Sequence, residues 1–173
     1  VCGDNYGTIA FCYNTGTVDG QNVCGGVCST NNSGTITSCY NRGVVNGTGG
    51  YVGGICGNIG SSSSTTNCYY DSNIYSGKAI GYIPGGTVDN VEAKTTTQFA
   101  SGEVCPLLNT ALNNANASVR FYQGANYPEF IKNLPSLVGD VYQISNKEEL
   151  YAFAQLVNNG ETSANAVLTA DIT

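Results

Sequence analysis

Eight cysteines are the side chains of this 173-residue sequence best suited to chemistry. As thiolates they could attack a carbonyl or hold a soft metal, and oxidised they could bridge the chain. Six of them fall into two regular series, Cys12, Cys39, Cys68 and Cys2, Cys28, Cys56. No CxxC pair occurs, and Cys24 with Cys28 stands alone as a CxxxC, so the ligand spacing of a zinc site is missing. The chain contains no histidine, which removes the HExxH zinc motif, the Ser-His and Cys-His nucleophile pairs and the commonest general base.

Carboxylates are the remaining candidates for acid–base work, and the twelve acids do not gather. When the repeats are aligned, Asp19 falls on Asn46, Asp4 on Thr30, and Asp71 on Arg42 and Thr15. A glycosidase needs two carboxyls about 5–10 Å apart, which Asp89 with Glu92, or Glu148 with Glu149, meets only as a local accident. The Asp-x-[Asp/Asn]-x-[Asp/Asn]-Gly pattern of a calcium loop is absent. The sequons at Asn31, Asn46 and Asn116 read as coincidence in an Asn-rich sequence. These observations imply a chain that is not an enzyme and uses no cofactor or resident metal.

The cysteine spacing has a structural origin. Gly7-Thr-Ile-Ala-Phe-Cys-Tyr-Asn14, Gly34-Thr-Ile-Thr-Ser-Cys-Tyr-Asn41 and Ser63-Ser-Thr-Thr-Asn-Cys-Tyr-Tyr70 nearly superimpose, and Val18, Val45 and Ile74 each follow their cysteine by six residues. A period of 27–29 residues rich in β-formers predicts an all-β fold, a right-handed parallel β-helix or solenoid, with α-helical capping segments. Equivalent residues then stack at the interstrand spacing of about 4.8 Å. Cysteine tolerates burial, so a column of free thiols accounts for both series. A bridge within a column stays open, although parallel Cβ vectors rarely give the dihedral near 90° that a disulfide requires.

Residues 1–75 are read as the repeats, each with β segments such as Gly34–Asn41, Gly43–Gly47 and Val52–Cys56, punctuated by glycines at corners. Residues 76–140 lose the period and are expected to close the stack, with a helix near 102–114, Ser101 as its N-cap, and Val104, Leu107, Leu108, Ala111 and Leu112 on its apolar face. Phe121, Tyr122, Tyr127-Pro128 and Phe130 read as a packed lid. Residues 141–173 read as the strand and helix that open a further module, with Ser145-x-x-Glu148 as a capping box and Leu150, Phe153, Ala154 and Val157 facing inward. Val1-Cys2-Gly3 aligns with Val27-Cys28-Ser29 and Ile55-Cys56-Gly57, which reads as a chain cut from a longer protein.

Net charge is −6 with six Lys and Arg, which leaves no basic stripe for phosphates, so neither nucleic acid nor an anionic membrane surface is expected as a partner. Charged residues are 10% of the chain against about 25% in an average domain, so solubility rests on Gly, Ser, Thr and Asn. No run of about 18 apolar residues spans a membrane.

Cys-Tyr-Asn-x-Gly-x-Val-x-Gly followed by Val-x-Gly-[Val/Ile]-Cys resembles the GLUG-motif repeats of large bacterial surface proteins. Asn67-Cys-Tyr-Tyr-Asp71, Thr97-x-Phe99-x-Ser101-Gly-Glu-Val104 with Leu107-Leu-Asn109, and Tyr127-Pro128 are similar to the segment that closes such an array. Tyr142-x-Ile-Ser145-x-x-Glu148-Glu-Leu150-x-x-Phe153-Ala resembles the one that opens the next. The resemblance implies an extracellular location, at the bacterial cell surface or secreted, and neighbouring modules of one longer polypeptide as partners. Family members include adhesin-like proteins, and the repeats also occur beside the catalytic domains of metallopeptidases that cleave immunoglobulin A. Two functions fit: a stalk, spacer or adhesin-like scaffold, and a module that binds cell-surface glycans or host proteins through Tyr6, Tyr51, Tyr75 and Tyr82. A carbohydrate-active β-helix enzyme ranks third, and two acids facing one groove would revive it.

Overall fold

The computed structural model describes residues 2–110 and 120–172. It is largely β, and most of its sheets are parallel. The first stretch of chain contains strands β1 (Cys2–Asn5), β2 (Thr8–Ala10), β3 (Tyr13–Asn14), β4 (Val18–Gly20) and β5 (Val23–Gly25). The same series recurs as β6 (Cys28–Asn31), β7 (Thr35–Thr37), β8 (Tyr40–Asn41), β9 (Val45–Gly47) and β10 (Tyr51–Gly53). A third, shorter series follows in β11 (Cys56–Ile59) and β12 (Ser64–Asp71), and a fourth in β13 (Ile80–Tyr82) and β14 (Thr87–Lys94).

Each strand pairs with its counterparts, not with its sequence neighbour. The order β1-β6-β11-β13 puts Cys2 against Cys28, Cys28 against Cys56, and Cys56 against Ile80. The order β2-β7-β12 continues to β14 and aligns Ile9 with Ile36, Thr65 and Val88. Val18 pairs Val45 as expected, whereas Ile74 lies at a turn and takes no part in a strand. Parallel pairing runs on through Lys94, past residue 75 where the sequence echo fades.

A straight strand points alternate side chains to one face, yet Ile36 and Cys39, three apart, enter the same apolar cluster. The residue before Cys12, Cys39, Cys68 and their counterpart Val91 supplies the change of direction. Phe11, Ser38, Asn67 and Asn90 have φ of 53°, 51°, 50° and 56°, a left-handed bend repeated once per rung. After the bend the cysteine turns inward, and Tyr13, Tyr40 and Tyr69 turn to the opposite side. The inward cluster comprises Val27, Cys28, Ile36, Cys39, Ile55, Cys56, Ile59, Cys68, Tyr70 and Ile80. Each fully buried Ile in it contributes roughly 1.5–3 kcal/mol.

Glycine is required where β5 and β10 lie on the sheet behind them. A Cβ on Gly25 would sit 2.1 Å from the Cys28 carbonyl oxygen and 2.7 Å from the Cys56 Cα, and one on Gly53 2.1 Å from the Cys56 carbonyl oxygen. Backbone lies directly on backbone at these points, so no larger residue fits.

The helical segment differs from its expected form. It consists of α1 (Thr96–Ser101) and α2 (Val104–Asn109). The N-cap is Thr95, whose side chain accepts from the Gln98 N–H while Gln98 caps in return, and Gly102 at φ 89° ends α1. Ser101, the expected cap, is therefore the last residue of α1. Ala111, Leu112 and the rest of the expected helix to residue 114, together with the Asn116 sequon, lie outside the described residues. Pro106 sits in the first turn of α2, where its missing N–H removes no helical bond.

This segment also covers a side of the stack and not its end. Phe99, Val104, Cys105, Leu108 and Phe121 bury Tyr40 and Tyr69, with Phe130 from the hairpin β15 (Phe121–Gln123) and β16 (Pro128–Phe130) packed alongside. Of the residues expected in a lid, Phe121, Tyr127 and Phe130 pack on this lateral face, while Tyr122 lies outside that cluster and lines an open depression. Among the described residues, β13 and β14 have no further strand beyond them.

The last part holds β17 (Ser136–Val138), β18 (Val141–Ile144), α3 (Lys147–Asn158) and β19 (Asn165–Leu168), with β18 and β19 parallel. Asn146 caps α3 by accepting from the Glu149 N–H, and Glu149 in turn accepts from Ser145 N–H and Oγ–H. The expected Ser145–Glu148 box is thus displaced by one residue, because Asn is an equally good cap. Ala152 and Leu156 are the buried positions of α3; Phe153 packs on the Tyr142 ring, while Leu150 is exposed.

Candidate functional site

The two cysteine series form the columns that their spacing predicts. All eight cysteines are free thiols. Cys39, Cys68, Cys28 and Cys56 are fully buried, while Cys12 and Cys2, on the first rung, reach solvent. The Cys12 backbone N–H lies 3.4 Å from Cys39 Sγ. Each column thiol donates to a carbonyl two residues away, as Cys39 does to Thr37 at 3.1 Å, Cys68 to Thr66 at 3.2 Å and Cys56 to Asn58 at 3.1 Å.

Contact with Cys39, then burial, pushes the Cys12 thiol up, and contact with Cys56 does the same to Cys28. For Cys39 the Cys12 contact lowers the pKa, but contact with Cys68 and burial outweigh it and leave it at about 12. Burial alone raises Cys105 to about 11. Thiols held protonated, as at Cys12, Cys28 and Cys39, are poor nucleophiles, whereas contact with Cys28 lowers the Cys56 pKa.

Asparagine forms parallel columns. Asn5 Nδ2 donates to Asn31 Oδ1 at 2.9 Å, and Asn14 Nδ2 to Asn41 Oδ1 at 2.9 Å. Asn14 and Asn41 each accept from the glycine N–H two residues on, which fixes the corner after β3 and β8. In the third rung Tyr70 replaces asparagine and fills the space over Gly54, and Asp71 takes the N–H of Asn73 instead.

The aligned charges do meet. Arg42 Nε lies 3.0 Å from Asp71 Oδ2, with the carboxylate fully buried. Asp71 also accepts from Thr96 Oγ at 2.8–2.9 Å. Arg42 donates to the Asn126 carbonyl oxygen at 3.2 Å and lies over the Phe99 and Tyr127 rings at 5.5 and 5.3 Å. This network joins the rungs to the lateral segment, and sequence reasoning gave only its Arg–Asp alignment. The positions of Thr96, Phe99 and Tyr127 depend on how distant segments pack, which no local pattern encodes.

Of the four tyrosines expected to face a ligand, two come together. Tyr51 and Tyr82 stack with centroids 4.6 Å apart and 19° between planes, both more than two-fifths exposed. Tyr6 is 71% exposed. Tyr75 is turned inward, because its hydroxyl donates to the Val52 carbonyl oxygen at 3.1 Å and its ring packs edge-on to Tyr70.

Glu129 and Glu148 line one open depression of 280 Å³ with Lys132, Tyr122 and Tyr151. This depression is open to solvent. Among the described residues no three metal-ligating side chains converge, and no helix is long and apolar enough to cross a membrane.

Comparison with family models, curated proteins and solved structures finds no match for this chain.

Proposed function

We propose that this chain is a right-handed parallel β-helix of coils of about 27–29 residues. In this reading it serves as a non-catalytic extracellular module of the GLUG-repeat kind, a stalk, spacer or adhesin-like scaffold in a bacterial surface protein. The observation that carries the reading is the in-register pairing of Cys2, Cys28 and Cys56, with Asn5 on Asn31 and Val18 on Val45. A fold held by contacts between successive rungs can gain or lose a rung without redesign. Each one adds about 4.8 Å of length. Neighbouring modules of the same polypeptide are its natural partners, and the raised thiol pKa values of Cys12, Cys28 and Cys39 fit a packing role.

Duplicating residues 28–55 in place tests this directly. The spacer reading expects a folded, longer protein with two further thiols, the copies of Cys28 and Cys39, shielded from a thiol reagent. A duplicated chain that unfolds or exposes those thiols contradicts it.

The exposed Tyr51–Tyr82 stack favours a second reading, a glycan-binding module, since tyrosine offers an apolar face and a wet hydroxyl to a sugar. That reading expects a glycan-array signal from the native protein that Tyr82→Ala abolishes. An array without signal removes it.

A further inference from the structure

Two columns of side chains, most of them hydroxyls, run across the rungs on the outer side of one sheet. Thr8, Thr35, Ser64 and Thr87 stand opposite one another in β2, β7, β12 and β14, and so do Ala10, Thr37, Thr66 and Asp89, two residues further on. Between the columns Ile36 and Thr65 turn inward and are fully buried, so both columns share the outer face. Each rung thus presents a Thr-x-Thr pattern or a near equivalent, and every one of these outer positions is exposed or half-buried. Among the described residues the only side-chain hydrogen bond within this array runs from Thr66 Oγ1 to Thr37 Oγ1 at 3.1 Å. The hydroxyls of Thr8, Thr35, Ser64 and Thr87 keep their donors and acceptors for an outside partner.

Spacing decides what that partner is. Along a column the hydroxyls repeat at the interstrand distance of about 4.8 Å, and along a strand positions i and i+2 lie about 6.6–6.8 Å apart. In a tetrahedral water lattice with O···O of about 2.7–2.8 Å, next-nearest oxygens lie about 4.5 Å apart and the layers repeat at about 7.3 Å. The array matches that lattice within about a tenth in both directions, a mismatch that side-chain tilt absorbs. Threonine suits such positions, because its branched Cβ restricts χ1 and holds the hydroxyl in place. Charge points the same way. Asp89 is the one charged residue of the array, so the face complements a neutral surface of hydrogen-bond donors and acceptors.

We propose that the columns Thr8–Thr35–Ser64–Thr87 and Ala10–Thr37–Thr66–Asp89 form a surface that binds ice. Waters seated on the array in lattice register would join a growing ice face with much of their order already set. The inference rests on the stacked-rung reading above and gives a partner to strands other than those of the Tyr51–Tyr82 stack.

The test is slow freezing of a dilute, reduced solution, with the share of protein taken into the ice measured, and the growth of ice grains in an annealed frozen film as a second readout. The unaltered protein is expected to enter the ice several-fold more than a non-binding protein of similar size and to keep the grains small. Thr37→Lys, in the middle of the array, is expected to abolish both effects, whereas Asn46→Lys, at an exposed position of β9, should leave them unchanged. Ala10→Thr with Asp89→Thr completes both columns and is expected to lower the protein concentration needed several-fold. Protection of Cys39 and Cys68 from a thiol reagent reports that the rungs are intact in each variant. An unaltered protein with both thiols protected that is excluded from ice would overturn the proposal and leave the stacking reading standing. Equal loss in Thr37→Lys and Asn46→Lys would also overturn it, as would retention on an insoluble polysaccharide without any effect on ice. Reactive Cys39 and Cys68 in the unaltered protein would remove the ladder itself and both readings together.

Discussion

Replacing Arg42 by Met removes the cation that neutralises Asp71 and keeps most of the aliphatic stem. The carboxylate is fully buried and would retain only the Thr96 hydroxyl and the Asn73 N–H as donors. Removing one partner of a buried ion pair costs about 3–5 kcal/mol. The lost contacts with Phe99 and Tyr127 add about 0.5–1 kcal/mol each where partly exposed. Arg42 touches the lateral segment as well as Asp71, so the cost falls first on the attachment of α1, α2 and the hairpin to Tyr40 and Tyr69. Cys105 reports that attachment, because it sits on α2 and is buried where the segment meets Tyr40 and Tyr69. An opening made 3–4 kcal/mol easier raises its reaction rate with a thiol reagent roughly 100- to 1000-fold. Cys39 and Cys68 should stay protected. The double variant Arg42→Met/Asp71→Asn should recover at least about 1 kcal/mol, since the amide needs no cation. A Cys105 rate raised less than about tenfold, the equivalent of 1.4 kcal/mol, would refute the claim that this pair fastens the two parts.

Three further outcomes follow from the packing. Gly25→Ala should destabilise by about 1–3 kcal/mol or more in urea unfolding through the clash with the Cys28 carbonyl; Gly3→Ala, which meets nothing within 4 Å, should change it by less than about 0.5 kcal/mol. Ser38→Gly should stabilise by about 1 kcal/mol, as it relieves a left-handed residue and removes a buried hydroxyl without a partner. Alkaline pH should weaken the fold: Cys105 at about 11 and Cys39 at about 12 keep protons that the unfolded chain loses from its ordinary value of 9.0. Their contribution is complete below 9.0 and falls, at about 1.4 kcal/mol per pH unit for each thiol, as pH rises to 11–12. Cys105→Ala should flatten the fall in urea midpoint between pH 8 and 10.5, and an unchanged slope would count against the buried-thiol account.

The columns were legible because burial repeats with the chain. Cys12, Cys39 and Cys68 occur where inward positions occur, and Val18 with Val45 mark a strand by the same logic. The left-handed bend leaves no mark in the sequence because Phe11, Ser38, Asn67 and Asn90 share a backbone conformation and no side-chain type. The third rung departs from the pattern at Ile74 because Asp71 draws the backbone into a turn through Asn73. Helix boundaries slipped where capping residues compete: Thr95 with Gln98 outweighs Ser101, and Asn146 outweighs Ser145. Tyr75 could not be told from Tyr51 and Tyr82 by spacing, since its position is decided by the Val52 carbonyl across a corner.

Solution NMR of the isotopically labelled protein tests the stacking of like residues most directly. The account predicts nuclear Overhauser contacts between the Ile9 and Ile36 side chains and between those of Val18 and Val45, 27 residues apart in sequence but neighbours across one ladder. A folded protein that shows the sequential contacts around these residues and lacks both long-range pairs would contradict it.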